Sequence, residues 1–415
     1  MPIRKGFFSV FNLMKLLKIY SSSFQGLSSE SWMLAVVMLI NRAGSMVLPF
    51  LGVYMTAHLG FGLETAGLVL SCFGVGAVFG SWLGGILTDK IGEFKVQSIS
   101  LLLSVPLFCL IPLFKTELGL AFIILIQSTV SEFFRPANSV AITKYAKKEN
   151  ITRSFSLNRM AVNLGFSIGP ALGGILSSIS YNFLFFTNAL AALLAGITYI
   201  SFFRKREYRN KENEKRKLKI KSESVYKDGK FLLFSGLCML FSICFFQLLN
   251  TLPLFYKLEA GLSQQTIGFI LGYSGIIIVF MEMFLVDVAE KRFRLKFTLF
   301  LGTIFCGLSF TLLSFGTSLP LLFFAMTLLC VGEIWALPFM STVTALRSGE
   351  NNKGQYMGVL GIGFSLSFII TPYLGTLIAQ EFGFQNLWIG TGFLMLLTAI
   401  GFYYVTPSLF DSKSD

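Results

Sequence analysis

Apolar residues in this chain do not alternate with polar ones; they run in blocks of roughly 20, the length of helix that crosses a hydrocarbon layer about 30 Å thick. Twelve blocks are read at 32–57, 64–88, 97–114, 118–143, 155–179, 182–203, 230–257, 264–287, 296–315, 319–345, 355–379 and 386–407. Each predicts a helix, because a segment in lipid must satisfy its backbone groups internally. An even count puts both termini on one side. The sole long polar stretch, 204–229 (RKREYRNKENEKRKLKIKSESVYKDG), is charged and poor in apolar residues, so it predicts a linker with at most loose helical order. It divides the chain into an arm at 1–30, six spans over 31–204, a linker at 205–229, six spans over 230–408 and a tail at 409–415.

The halves repeat at an offset near 201: TAGLVLSCFG from Thr65 aligns with TIGFILGYSG from Thr266, Asp89-Lys90 with Glu290-Lys291, and Val130-Ser131-Glu132 with Val331-Gly332-Glu333. IGPALGGIL from Ile168 lies near ITPYLGTLI from Ile370. A duplicated six-helix unit is the architecture of alternating-access carriers, whose substrate site lies between the repeats near the midplane.

Composition agrees with the pattern. Hydrophobic residues make up 54% of the chain and charged ones 13%, with a mean hydropathy of +0.71, which excludes an ordinary soluble domain. The net charge of +13 does not point to nucleic acid, because the cations form short clusters between apolar runs. Of 34 Lys and Arg, Lys115 and Lys257 alone fall on one side, Arg42, Arg135 and Arg159 fall inside spans, and the remaining 29 share the other side. That bias predicts an inner-membrane protein with both termini in the cytoplasm. The N-terminal arm mixes Phe and Leu with Arg4, Lys5, Lys15 and Lys18 and has no cleavable signal pattern, so it predicts an amphipathic helix on the inner leaflet. All six Cys lie inside apolar runs without metal-ligand spacing, and predict neither disulfide nor metal site.

Residues Gly85-Ile86-Leu87-Thr88-Asp89-Lys90-Ile91-Gly92, between spans 2 and 3, resemble the loop signature of the major facilitator superfamily, G-x-L-x-D-[RK]-x-G-[RK]-[RK]. The resemblance covers residues 30–407 and implies an all-α integral membrane protein of twelve transmembrane helices in two pseudo-symmetric six-helix bundles. Glu93 and Phe94 depart from it, standing where a basic pair is expected. Asp89 suits hydrogen bonds from a neighbouring helix N-terminus or a basic group. In span 5, Gly165, Gly169, Pro170, Gly173 and Gly174 resemble the motif of the drug:proton antiporter branch; from the residues alone they predict a bent, closely packed helix. Together with Gly85, Asp89, Lys90, Gly92, Arg159 and Glu282 they form the expected gating set. No phosphate-binding loop, cofactor motif or nucleophile–base pair is present, so a non-enzyme without cofactor, driven by the proton gradient, is expected.

Ionisable residues inside a bilayer cost about 2.5–3.5 kcal/mol each on insertion scales and are functional candidates by default. Glu132 and Arg135 fall mid-span 4, Glu333 mid-span 10 and Arg42 mid-span 1, all on spans that line the central cavity in the family resembled. Glu132 and Glu333, equivalent under the repeat, are the expected proton-coupling carboxylates; a static Glu132–Arg135 pair at i, i+3 is the competing reading. Asn41, Arg42, Arg135, Gln247, Asn250, Tyr256 and Trp335 are the expected cavity residues. Arg159 and Glu282 are expected nearer the basic ends of spans 5 and 8, as gating or packing groups, and His58 as an interfacial residue. The leading expectation is a monomeric, proton-coupled efflux carrier for amphipathic or lipophilic molecules. Uptake of a zwitterion such as a small peptide is the alternative, with Arg42 and Arg135 taking its carboxylate, although Asn41-Arg42 lacks the paired glutamates that peptide carriers show in span 1. A lipid flippase or a non-transporting sensor on the same scaffold is a third reading.

Overall fold

The computed structural model describes residues 20–214 and 224–410. Residues 1–19 of the predicted arm, 215–223 of the linker and 411–415 of the tail lie outside the described residues. The first span is broken. Helix α1 (Ser29–Ala43) ends at Gly44, α2 (Val47–Val53) resumes the run, and a wider π-type turn follows at Tyr54–His58. Pro49 has no N–H to donate, which costs nothing in the first turn of a new helix, where that N–H has no helical partner. Helices α3 (Leu63–Ile91) and α4 (Glu93–Leu110) meet at Gly92, whose φ of 90° suits glycine alone. The fourth span steps between α5 (Glu117–Glu132) and α6 (Phe134–Tyr145). Pro136 leaves the carbonyl of Glu132 without its helical donor there.

Helices α7 (Ile151–Ile179) and α8 (Tyr181–Glu214) complete the first half, α8 running on into the stretch predicted as a linker. The seventh span breaks where the first does, between α9 (Gly229–Phe245) and α10 (Thr251–Leu258), ahead of Pro253. Asn250 Nδ2 donates to the Phe246 carbonyl at 3.1 Å and satisfies part of the interrupted backbone. Then come α11 (Gln264–Arg292), α12 (Leu295–Leu312), α13 (Leu319–Arg347) and α14 (Lys353–Ser408), the last being two helices joined at Gly383, φ 81°. With α1/α2, α5/α6 and α9/α10 each forming one span and α14 two, the twelve predicted spans are recovered. Ten continuous stretches among the described residues are long and apolar enough to cross a bilayer. The broken first span falls short of that length, and α14 counts once.

One hydrophobic core lies wholly within residues 225–409; two others draw almost entirely on the first half. Large apolar side chains such as Leu118, Phe122, Phe269 and Phe393 stand exposed, as lipid-facing residues must. Within lipid, helices adhere through close packing rather than hydrophobic force, so small residues set where they touch. A Cβ at Gly80 or Gly84 of α3 would lie 2.4 Å from the Thr129 carbonyl oxygen or 2.8 Å from Phe133 Cα of the fourth span.

The halves meet along α3 with α14 and α7 with α11, and the contact is uneven along its length. At the end bearing most of the Lys and Arg, hereafter the basic end, a Cβ on Gly85 would lie 2.5 Å from the Gly354 carbonyl oxygen. Eleven and seven residues back from Gly85 and Ser81, at Gly74, a Cβ would still be 2.7 Å from Ile369. One further i, i+7 step along that face, Gly67 has nothing within 4 Å. On α11 a Cβ at Gly275 would lie 3.8 Å from Ser167 Oγ of α7, whereas Gly272 and Gly268 on the same face again have nothing within 4 Å. Among the described residues, the two halves close at the basic end and part towards the other.

Candidate functional site

Two buried carboxylates and one half-buried arginine converge between the halves. Arg159 on α7 donates from Nε to Glu282 Oε1 of α11 at 2.8 Å, and its Nη2 lies 3.5 Å from Glu333 Oε1 of α13. Glu282 is 0% exposed and Glu333 3%. Glu282 Oε2 and Glu333 Oε1 have no hydrogen-bond partner. One cation therefore faces two carboxylates in a medium where isolated charge is strongly disfavoured. Arg159 and Glu282, expected as gating groups apart from Glu333, form one cluster with it through the Arg159 guanidinium.

Glu132 does not join this group. Its carboxylate takes the Arg135 guanidinium, Nη2 lying 3.2 Å from Oε1 and 3.0 Å from Oε2, the i, i+3 pair that competed with a coupling role. Arg42 stands close by with a different environment. It has no carboxylate within 4 Å among the described residues, its Nε has no hydrogen-bond partner, and its guanidinium lies 5.5 Å from the Phe166 ring centroid. The glycines of α7 bring it there. A Cβ at Gly165 would meet Arg42 Cβ at 2.5 Å, one at Gly169 the Arg42 carbonyl at 3.2 Å and one at Gly173 Met46 Cβ at 2.9 Å, so this row packs the first span. Gly174 lies off the row, where a Cβ would be 3.9 Å from Phe50. Helix α7 continues through position 170 without interruption.

Several of the expected cavity residues make contacts within their own half. Trp335 Nε1 donates to the Leu285 carbonyl at 3.1 Å and its ring packs on Phe293 and Phe305, which holds it between α11, α12 and α13. Tyr256 is fully buried and borders a void of about 10 Å³ with Phe310 and Leu329, inside the second half's core. Gln247 accepts from Thr251 Oγ1 and leaves no room for a Cβ at Gly375. Asn250 repairs the backbone break, and Asn41 is half-buried with its carbonyl accepting from Ser45 at 3.3 Å. Ser128 abuts Gly76 of α3, one turn from where Glu132 meets Gly80, so the two share the face of the fourth span that packs on α3. His58 stacks on Tyr54 and packs at a tilt against Tyr181.

The loop signature has a clear geometric role. Asp89 Oδ1 accepts from the Gly354 N–H at 2.6 Å and Oδ2 from the Gln355 N–H at 2.8 Å, so it caps the first turn of α14 in the opposite half. Lys90 is exposed. Glu93, standing where the family has a base, binds Lys144 Nζ at 2.7 Å and ties the loop to α6. A second latch was not foreseen. Arg153 on α7 reaches Glu290 at 3.2 Å and Asp287 at 3.6 Å, while Lys291 holds Asp287 at 2.6 Å. The alignment of Asp89-Lys90 with Glu290-Lys291 carried the signal for it. Also unforeseen is Asp228, which caps α9 through the Phe231 N–H and accepts from Arg347 Nε and the Tyr356 hydroxyl, each at 2.7 Å. Partial burial pushes its carboxyl up, but these three donors outweigh that and hold it below the usual carboxylate range.

No group of three or more potential metal ligands occurs among the described residues. Residues 32–296 and 283–414 match the model of the Major Facilitator Superfamily. The chain is 28% identical over 387 residues, 92% of its length and 94% of the other's, to a Bacillus subtilis protein named uncharacterized MFS-type transporter YttB. It is 22% identical to the multidrug resistance protein MdtH of Aeromonas hydrophila, over 91% of this chain and 96% of that one. Among solved structures, a bacterial homologue of the iron transporter ferroportin in its outward-facing state superposes with a TM-score of 0.74 at 16% identity, covering 92% of this chain and all of that one.

Proposed function

This chain belongs to the major facilitator superfamily, whose members are membrane transporters, and from that premise we propose that it is a proton-coupled efflux carrier for amphipathic or lipophilic small molecules, working by alternating access. The observation that carries the reading is Arg159 between Glu282 and Glu333. With both carboxylates ionised the cluster holds one negative charge in excess, and a buried charge without a partner costs several kcal/mol, of the order of 3–5. A proton removes that excess. So does a cationic group on a substrate, and both cannot do so together. Competition for one site is the simplest way to exchange an outgoing substrate for an incoming proton. The relative named a multidrug resistance protein supports export of lipophilic compounds.

In this reading the basic end faces the cytoplasm, the latches at Asp89 and Arg153 seal it, and the conformation described is outward-open. The chain acts as a monomer in the plasma membrane, its two six-span units at 31–204 and 230–408 rocking about the site. Glu333, with Glu282, takes the proton-coupling role; Glu132, neutralised by Arg135, supports the fourth span. Free Arg42 beside Phe166 favours one second reading, in which a zwitterionic solute offers its carboxylate to that side of the cavity.

Purified protein in proteoliposomes with an imposed pH gradient tests the assignment, with a lipophilic cationic dye and a dipeptide as probes. Gradient-driven dye movement is expected for the wild type and lost in Glu333→Gln and Glu282→Gln, which retain downhill exchange. Full gradient-driven transport by Glu333→Gln refutes the coupling site, and accumulation of dipeptide in place of dye refutes efflux.

A further inference from the structure

At the basic end lies a cavity of about 590 Å³ that is no part of the central site. Both halves wall it. The segment leading into α7 contributes Lys148, Glu149, Ile151 and Thr152, and the rest comes from the second half, at the join of α11 and α12 and the last turns of α13 and α14. The floor is apolar, with Phe339, Leu346 and Phe410. The rim carries Lys148, Arg294 and Lys296, none with a carboxylate within 4 Å among the described residues. Of the two acids at the rim, Glu290 is engaged by Arg153. Lys296 lies 4.6 Å from the Tyr403 ring centroid and 5.3 Å from that of Phe297, which fixes its direction without cancelling its charge. A second observation points to a polar occupant. Thr406, on the wall, is 2% exposed, and its Oγ1 has no hydrogen-bond partner. A buried hydroxyl left so is disfavoured unless a ligand oxygen satisfies it.

We propose that this cavity binds the headgroup of an anionic phospholipid from the leaflet at the basic end. Lys148, Arg294 and Lys296 take the phosphate, the Thr406 hydroxyl donates to a phosphate or glycerol oxygen, and the acyl chains leave over the apolar floor. The depth fits, because every wall element lies at the end of a span, where headgroups sit. Since the segment 148–152 closes the cavity from the opposite half, the lipid holds the basic end shut.

The test is thermal unfolding of the full-length protein in detergent, titrated separately with phosphatidylglycerol, phosphatidylcholine and inorganic phosphate. Phosphatidylglycerol is expected to raise the midpoint, with roughly a fivefold higher concentration needed for each cation removed in Arg294→Gln and Lys296→Gln. Lys95→Gln, which removes a cation at the same end but outside the cavity, is expected to respond as the wild type does. Retention of the lipid by native mass spectrometry gives the same comparison for any variant that melts poorly, and Thr406→Val is expected to lower it. An unchanged response in Arg294→Gln/Lys296→Gln overturns the proposal. So does equal stabilisation by phosphatidylcholine, or by inorganic phosphate, which would mark a free-anion site.

Discussion

Gly85→Ala isolates the closure of the basic end. Its Cβ would sit 2.5 Å from the Gly354 carbonyl oxygen, 3.1 Å from Gly358 Cα and 3.2 Å from Gly354 C. All three are backbone atoms, so no rotamer change relieves them. Ordinary contact begins at 3.4 Å, which requires α3 and α14 to separate by about 0.9 Å at the tightest point. Overpacking of this kind costs about 1–3 kcal/mol. That cost falls only on the conformation in which the helices touch, so its effect is a shift in population of about 5- to 150-fold rather than unfolding. Spin labels at Lys95, at the start of α4, and Glu350, just before α14, report it, both positions being exposed and on opposite halves. In a cysteine-depleted background the alanine variant is expected to gain a longer-distance population. Gly67→Ala, with nothing within 4 Å, is expected to leave the distribution as it is. Identical distributions for Gly85→Ala and the parent would refute the view that close backbone approach holds this end shut.

Gly383→Ala tests a different quantity, because nothing lies within 4 Å of the added carbon and only the φ of 81° opposes it. A loss of about 1–2 kcal/mol in thermal or denaturant unfolding is expected, and stabilisation would refute the left-handed hinge. For Asp228→Asn the sign follows from the lowered carboxyl: its stabilising effect is present above the unfolded-state value and disappears as pH falls through the folded-state value. The variant is expected to be about 1–3 kcal/mol less stable at neutral pH, with the gap to wild type closing below about pH 4. A gap that stays constant in unfolding scans across that range would remove the ionised carboxylate from the account.

The twelve spans, the duplication and the polarity of the loops were all legible in the sequence, for a shared physical reason. A bilayer imposes span length, a backbone satisfied within each helix and a charge bias between loops, and each of these leaves a mark on consecutive residues. The Glu132–Arg135 pair was equally visible, since i, i+3 neighbours share a face whatever the rest of the fold does. Asp89 could be read as a cap but not matched to Gly354 and Gln355, which lie in the other half. Arg159, Glu282 and Glu333 sit on three spans, and their apolar surroundings carry no periodic sign of which faces meet. In lipid, helix faces are chosen by close approach at small residues, as where α7 rests on Arg42 through Gly165 and Gly169, so a span's contacts depend on its neighbours' shapes. The sequence alone therefore determined that charged residues are buried in this membrane protein and roughly at what depth. Which carboxylates share the one arginine, and which arginine is left free, was decided only by the packing of helices distant along the chain.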